Sequence, residues 1–114
     1  MSIVAVMVHV ADVEAGLIWY QRAFPLASRK SISEPLFEYL DMNGVSLEIV
    51  PADEKVASGA AGSVVYWHVD DFDLTLSHMQ SIGATLYRGP AVIEDGKRMC
   101  QVRDPWGNCI GLRG

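Results

Sequence analysis

The sequence predicts an α+β fold of two tandem βαβββ modules in a single domain over residues 1–114. Module one covers about 1–50, a linker 51–62 and module two about 63–114. Three observations predict it. V-H-V-A-D-V at residues 8–13 returns as W-H-V-D-D-F at 67–72, placing His9 and His68 at equivalent points of a unit repeated 59 residues apart. On the same shift the apolar stripe Val13, Leu17, Tyr20 maps onto Phe72, Leu76, Met79, the i, i+4, i+7 spacing of one buried helix face. Each half then carries β-rich runs on either side of a turn-forming segment, Asn43-Gly44 in the first and D-P-W-G-N at 104–108 in the second.

Each module opens with a β-rich run, Ile3 to Val10 and Ser63 to Val69. These runs are apolar enough on both faces to predict central strands. Asp12 and Asp71 follow, each able to accept a hydrogen bond from the free N–H groups of a helix's first turn, which predicts helices over 12–24 and 71–82. Pro25 cannot continue the first helix, and Gly83 can take the left-handed conformation that ends the second.

Leu36 to Met42 and Val45 to Val50 flank Asn43-Gly44, where a type I′ turn needs positive φ at both positions, so they predict a hairpin. Arg98 to Arg103 and Cys109 to Leu112 flank D-P-W-G-N in the same way. Pro51 to Gly62 is small, polar and without periodicity, a linker. Ser31 to Pro35 and Gly89 to Gly96 are predicted as flexible loops able to act as lids.

Composition narrows the function. With 50% hydrophobic and 20% charged residues in 114, the chain can bury a core without disulfides. A net charge of −5, with basic residues no denser than the pairs Arg29-Lys30 and Lys97-Arg98, argues against nucleic acid as a partner. Apolar runs are too short to span a bilayer and no secretory signal opens the chain, so no membrane partner and a cytoplasmic location are expected. Cys100 and Cys109 fall where they could sit on facing hairpin strands, but reduced thiols are expected in that compartment. There is no G-x-S-x-G, no phosphate loop and no C-x-x-C.

The 59-residue tandem, with V-x-D opening the first helix, Trp19-Tyr20 inside it and D-P-W-G-N before the last strand, resembles the vicinal-oxygen-chelate superfamily. That superfamily includes glyoxalase I, extradiol dioxygenases, fosfomycin-resistance enzymes and bleomycin-resistance proteins. The resemblance implies a curved mixed sheet around a ligand cup. It also implies that metal-using members draw four ligands from positions that fall here at Ala5, Glu48, Val64 and Gly111. Only Glu48 offers a donor, so neither metal nor cofactor is expected. His9 and His68 lie an even number of residues from Ala5 and Val64, so period-2 alternation points them to the same face. A triad of both histidines with Glu48 is disfavoured, because four residues along a strand is a displacement of ~13 Å.

Met7, His9, Glu48, Tyr66, His68 and Arg113 are the candidate ligand-binding residues, and Glu48 is the best candidate for catalysis. His9 matches the position where glyoxalase I holds an arginine that grips a substrate carboxylate. Glu48 must face water, pair with a base such as Arg98 or Arg113, or carry a raised pKa. Phe37 and Tyr39 are candidate walls of the cup or faces toward the helices, Trp106 a cover for the sheet edge, and Trp19 and Trp67 packing residues. The expected function is a metal-free small-molecule binder resembling bleomycin-resistance proteins, with a homodimer implied by the resemblance and a cationic or neutral organic ligand favoured by the acidic balance. The alternatives are a glyoxalase-like lyase or dioxygenase with an atypical metal or acid-base site, and a structural or regulatory dimer with a vestigial cup.

Overall fold

A computed structural model describes residues 2–33 and 36–114 of the chain. It divides into two compact units, Met1–Ser58 and Gly59–Gly114. Among the described residues, no helix is long and apolar enough to cross a membrane.

The first unit runs β1 (Ala5–Val10), α1 (Val13–Ala23), β2 (Ser28–Ser33), β3 (Leu36–Met42) and β4 (Val45–Pro51), with strand order β1-β4-β3-β2. β1 is parallel to β4 and the other pairs are antiparallel. Asp12 caps α1, its Oδ1 accepting from the Ala15 N–H at 3.1 Å. The helix ends where the Phe24 N–H reaches the Tyr20 carbonyl at 2.9 Å, just before Pro25. Leu17 and Tyr20 of α1 are buried with Val10, Leu40, Leu47 and Ile49 of the sheet. Side chains of this size each contribute about 1.5–3 kcal/mol when removed from water. Gly16 makes the close approach possible: a Cβ there would stand 2.6 Å from the Ile49 side chain. Asn43 and Gly44 take φ of 55° and 95°, the two positive values that the predicted hairpin turn requires.

The second unit repeats the plan as β5 (Val65–His68), α2 (Phe72–Ser81), β6 (Thr85–Val92), β7 (Arg98–Arg103) and β8 (Cys109–Arg113), with strand order β5-β8-β7-β6. Asp71 caps α2 through the Leu74 N–H at 3.1 Å, and Gly83 leaves the helix at φ 106°. Phe72 and Met79 of α2 are buried with Cys100, Val102, Ile110 and Leu112. The turn at 104–108 is organised by Asp104, a buried carboxylate. It accepts from the N–H groups of Trp106 and Asn108 at 2.8 Å and from the Asn108 side-chain amide at 2.9 Å.

Several expectations need correction. β1 and β5 are edge strands of their own four-stranded sheets rather than central ones. In β1 only Val6, Val8 and Val10 turn toward the helix-covered side; Met7 on the opposite face is 55% exposed, so an apolar run did not require cover on both faces. Most of the first predicted lid is strand, because Ser31 to Ser33 belong to β2; Glu34 and Pro35 lie outside the described residues. β2 escaped pattern recognition because every residue in it is exposed, and backbone pairing with β3 rather than apolar alternation holds it. The second predicted lid also divides: Gly89 to Val92 belong to β6, and Glu94–Gly96 forms a 3-10 turn. Pro51 ends β4, and Ser58 in the expected linker donates its hydroxyl to the His9 carbonyl at 2.5 Å.

Candidate functional site

In each unit one sheet face carries the helix and the other does not, and strand alternation decides which residues stand on the uncovered face. In the first unit Leu47 and Ile49 are buried toward α1, so Ser46, Glu48 and Val50 face away from it. The parallel register sets Ala5 beside Ser46, Met7 beside Glu48 and His9 beside Val50, which brings Met7, His9 and Glu48 onto that face. β3 alternates in phase. Leu40 is buried, while Phe37, Tyr39 and Asp41 look the other way, with the Phe37 and Tyr39 rings stacked at 6.2 Å and Lys30 3.6 Å from Asp41. Phe37 and Tyr39 therefore face away from the helix. Among the described residues no cation pairs with Glu48. Arg98 instead engages Asp73 at 2.9 Å, and Arg113 lies over an aromatic ring.

In the second unit Cys100, Val102, Ile110 and Leu112 face α2, so the uncovered face carries Tyr66 and His68, then Cys109, Gly111 and Arg113, then Met99, Gln101 and Arg103. Tyr66 pairs with Gly111 in register, and its ring lies flat across the glycine. A Cβ on Gly111 would stand 2.5 Å from the ring. Beyond the glycine the Tyr66 hydroxyl accepts from the Gln101 amide at 2.8 Å, and the Arg113 guanidinium stacks over the same ring at 4.4 Å. Beside them, the ends of β5 and β8 and the Ile93–Lys97 loop enclose an open pocket of about 270 Å³, which Tyr66, Trp67, His68, Lys97 and Arg113 help to line. His68 is anchored by Asp70, with 3.1 Å between Nε2 and Oδ1. Thus Tyr66, His68 and Arg113 share one pocket, and Trp67, expected only to pack, contributes to it.

Sequence reasoning missed Gln101, Cys109, Arg88 and Arg103 on this face. Cys100 and Cys109 are free thiols on facing strands, but in register Cys100 lies opposite Leu112 and Cys109 opposite Arg103. Burial pushes the Cys100 thiol up. It pushes the Cys109 thiol up too, against the opposing pull of the positive charges of Arg103 and Arg88. Trp106 is half-buried in its turn, and Trp19 is buried edge-on to Tyr20 at 4.9 Å.

The Glyoxalase/Bleomycin resistance protein/Dioxygenase superfamily model matches residues 2–112. The chain belongs to this superfamily. Solved structures share its fold. An enzyme of the family from Burkholderia phytofirmans PsJN is 21% identical, with 96% of this chain and 94% of that one covered at a TM-score of 0.73. A superfamily member from Sphaerobacter thermophilus is 16% identical over 99% and 96%, with a TM-score of 0.77. TioX from Micromonospora sp. ML1 is 20% identical over 99% and 98%, with a TM-score of 0.71. No curated protein sequence matches the chain.

The superfamily's metal positions do not fit an ion in this sequence. Ala5 and Val64 are aliphatic, Gly111 has no side chain and is roofed by Tyr66, and Glu48 alone offers oxygen. One carboxylate cannot replace the hydration shell of a divalent cation. Nor do any three His, Cys, Asp or Glu side chains gather as donors elsewhere among the described residues.

Proposed function

We propose that the chain is a small-molecule-binding protein that works without a metal, similar in kind to bleomycin-resistance proteins, with sequestration of an organic ligand as its activity. The observation that carries this reading is the Tyr66 ring lying across Gly111, where the superfamily would place a metal ligand. An aromatic plate flanked by Gln101 and Arg113 and opening on a pocket supplies the apolar surface and sparse polar groups that small-molecule sites offer. In this reading Tyr66, His68 and Arg113 are the ligand-contacting residues of the second unit, and Met7, His9 and Glu48 are the candidates that the first unit carries on its own open face. A homodimer in the cytoplasm belongs to the same reading. It draws support from the exposed apolar residues Ile3 and Val4 that lead into the edge strand β1, and light scattering on the purified protein tests it.

A thermal-shift screen against metabolites and antibiotics, run in a chelator, tests the proposal, since a ligand selective for the folded state raises apparent stability. The expected result is a chelator-insensitive shift that Tyr66→Ala abolishes. A stoichiometric divalent ion in the purified protein, lost in Glu48→Ala, would overturn it.

A further inference from the structure

We propose that the uncovered face of the second unit holds an oxyanion subsite, formed by Arg88 and Arg103 on the adjoining strands β6 and β7 beside Cys109, which selects ligands bearing a carboxylate or phosphoryl group. The inference deepens the proposed function and rests on its reading of this face as a ligand surface. The overall acidity of the chain pointed to a cationic or neutral ligand, but local charge is what a ligand meets.

Register places the two arginines on one face. Arg103 lies opposite Cys109 on β8, and Arg88 lies opposite Gln101, the next outward-facing residue of β7. Both therefore project from the face that carries Tyr66. The positive charges of both oppose the upward push of burial on the Cys109 thiol, in keeping with that placement on one face. Arg103 is held in place: its Nε donates to the Gly107 carbonyl at 2.9 Å, and its guanidinium packs over the Tyr87 ring at 5.2 Å. The register shift between Leu86 and Arg88 brings that ring alongside, since a bulge re-aims the side chains of its strand. Gly107 leaves the space, because a Cβ there would stand 2.8 Å from the Arg103 terminal nitrogen. The remaining guanidinium N–H groups of Arg103 stay available as donors, and among the described residues neither Arg88 nor Arg103 forms an ion pair. Two guanidiniums on neighbouring strands of one face, without ion pairs among the described residues and one of them preorganised, suit a planar carboxylate or a phosphoryl group, which accept paired N–H donors.

Cys109 serves as a built-in reporter. Purified protein is alkylated with iodoacetate and with iodoacetamide, near-isosteric reagents that differ in charge, and the ratio of rates at Cys109 is compared with that of glutathione. Buried Cys100 is resolved by mass spectrometry. The subsite predicts a ratio about tenfold above that of glutathione at low salt, the lower range of electrostatic steering, collapsing in Arg88→Gln and shrinking with added salt. Arg88 is exposed, so its replacement leaves the core intact. In parallel, benzoate, inorganic phosphate and uncharged benzamide are titrated against the arginine Nε–H resonances. Movement of Arg88 and Arg103 with benzoate or phosphate but not benzamide supports the subsite and tells which oxyanion it prefers. A rate ratio equal to that of glutathione, or identical responses to benzoate and benzamide, overturns it. Neither readout depends on the metal question, so this proposal and the metal-independent reading fail separately.

Discussion

Tyr66 and Gly111 form a matched pair: the ring occupies the space above the glycine so fully that any β-carbon at position 111 would stand 2.5 to 2.7 Å from three of its carbons. No real Cβ contact is that short, so either the ring or the backbone of β8 must move when the glycine is replaced.

Gly111→Ala is therefore expected to destabilise the fold by about 1–3 kcal/mol, the usual cost of forcing an extra carbon into filled space. Urea denaturation measures it. Tyr66→Ala in the same chain should recover most of the loss, because it removes the ring that the new methyl meets; no recovery would mean the strain lies elsewhere.

Tyr66→Phe removes the hydroxyl that accepts from Gln101 and keeps the plate. A loss of about 1 kcal/mol is expected, the net worth of a neutral hydrogen bond. Ligand shifts found in the thermal screen should survive this change while disappearing in Tyr66→Ala, which separates the ring's contribution from that of its hydroxyl.

Asp104→Ala leaves the N–H groups of Trp106 and Asn108 and the Asn108 amide without their buried acceptor. The penalty for orphaned buried donors is about 1–3 kcal/mol each where water cannot reach them. Asp104→Ala should have the lowest denaturation midpoint of the single substitutions at Asp12, Tyr66, Asp71 and Asp104. Loss of turn order should also free Arg103, whose Nε rests on the Gly107 carbonyl.

Asp12→Ala and Asp71→Ala each remove one helix cap, at about 0.5–2 kcal/mol. The two caps belong to separate units and share no partner, so the double variant should lose the sum of the single losses. A double-mutant cycle with a clear coupling energy would contradict that independence.

The Arg98 hydrogen bond holds Asp73 below its ordinary carboxylate value. A depressed folded pKa contributes stability that is present above the unfolded value of about 3.9 and lost as pH falls through the folded value. The stability gap between the parent and Arg98→Gln should thus narrow on acidification from about pH 5 to about pH 2. It should not close, because the guanidinium also stacks over Phe72 at 4.7 Å, a contact indifferent to the protonation of Asp73.

The parts of the fold that were legible in sequence are those set by near neighbours. Asp12 and Asp71 announce helix starts because a capping carboxylate bonds a residue three positions on. Asn43-Gly44 announces a hairpin because its positive φ values are a property of those two residues. β2 was not legible, because S-R-K-S-I-S has no buried face and only its pairing with β3 makes it a strand. On the candidate site, alternation alone pointed His9 and His68 to the face of Ala5 and Val64, while Met7 and Tyr66 were candidates for its walls. Arg88 and Arg103 stayed hidden, since a register shift in β6 sets Arg88 opposite Gln101 and the return of the 104–108 turn sets Arg103 opposite Cys109.

By itself the sequence determined the duplication, the caps, the tight turns, the superfamily and the poverty of metal donors at positions 5, 48, 64 and 111. These rest on local conformational preference and on residue chemistry, which do not depend on what lies across the sheet. Tertiary structure alone decided that Tyr66 roofs Gly111 and that Arg103 pairs in register with the half-buried Cys109. Those are distances between strands far apart in sequence, set by register and packing rather than by any residue's own preference.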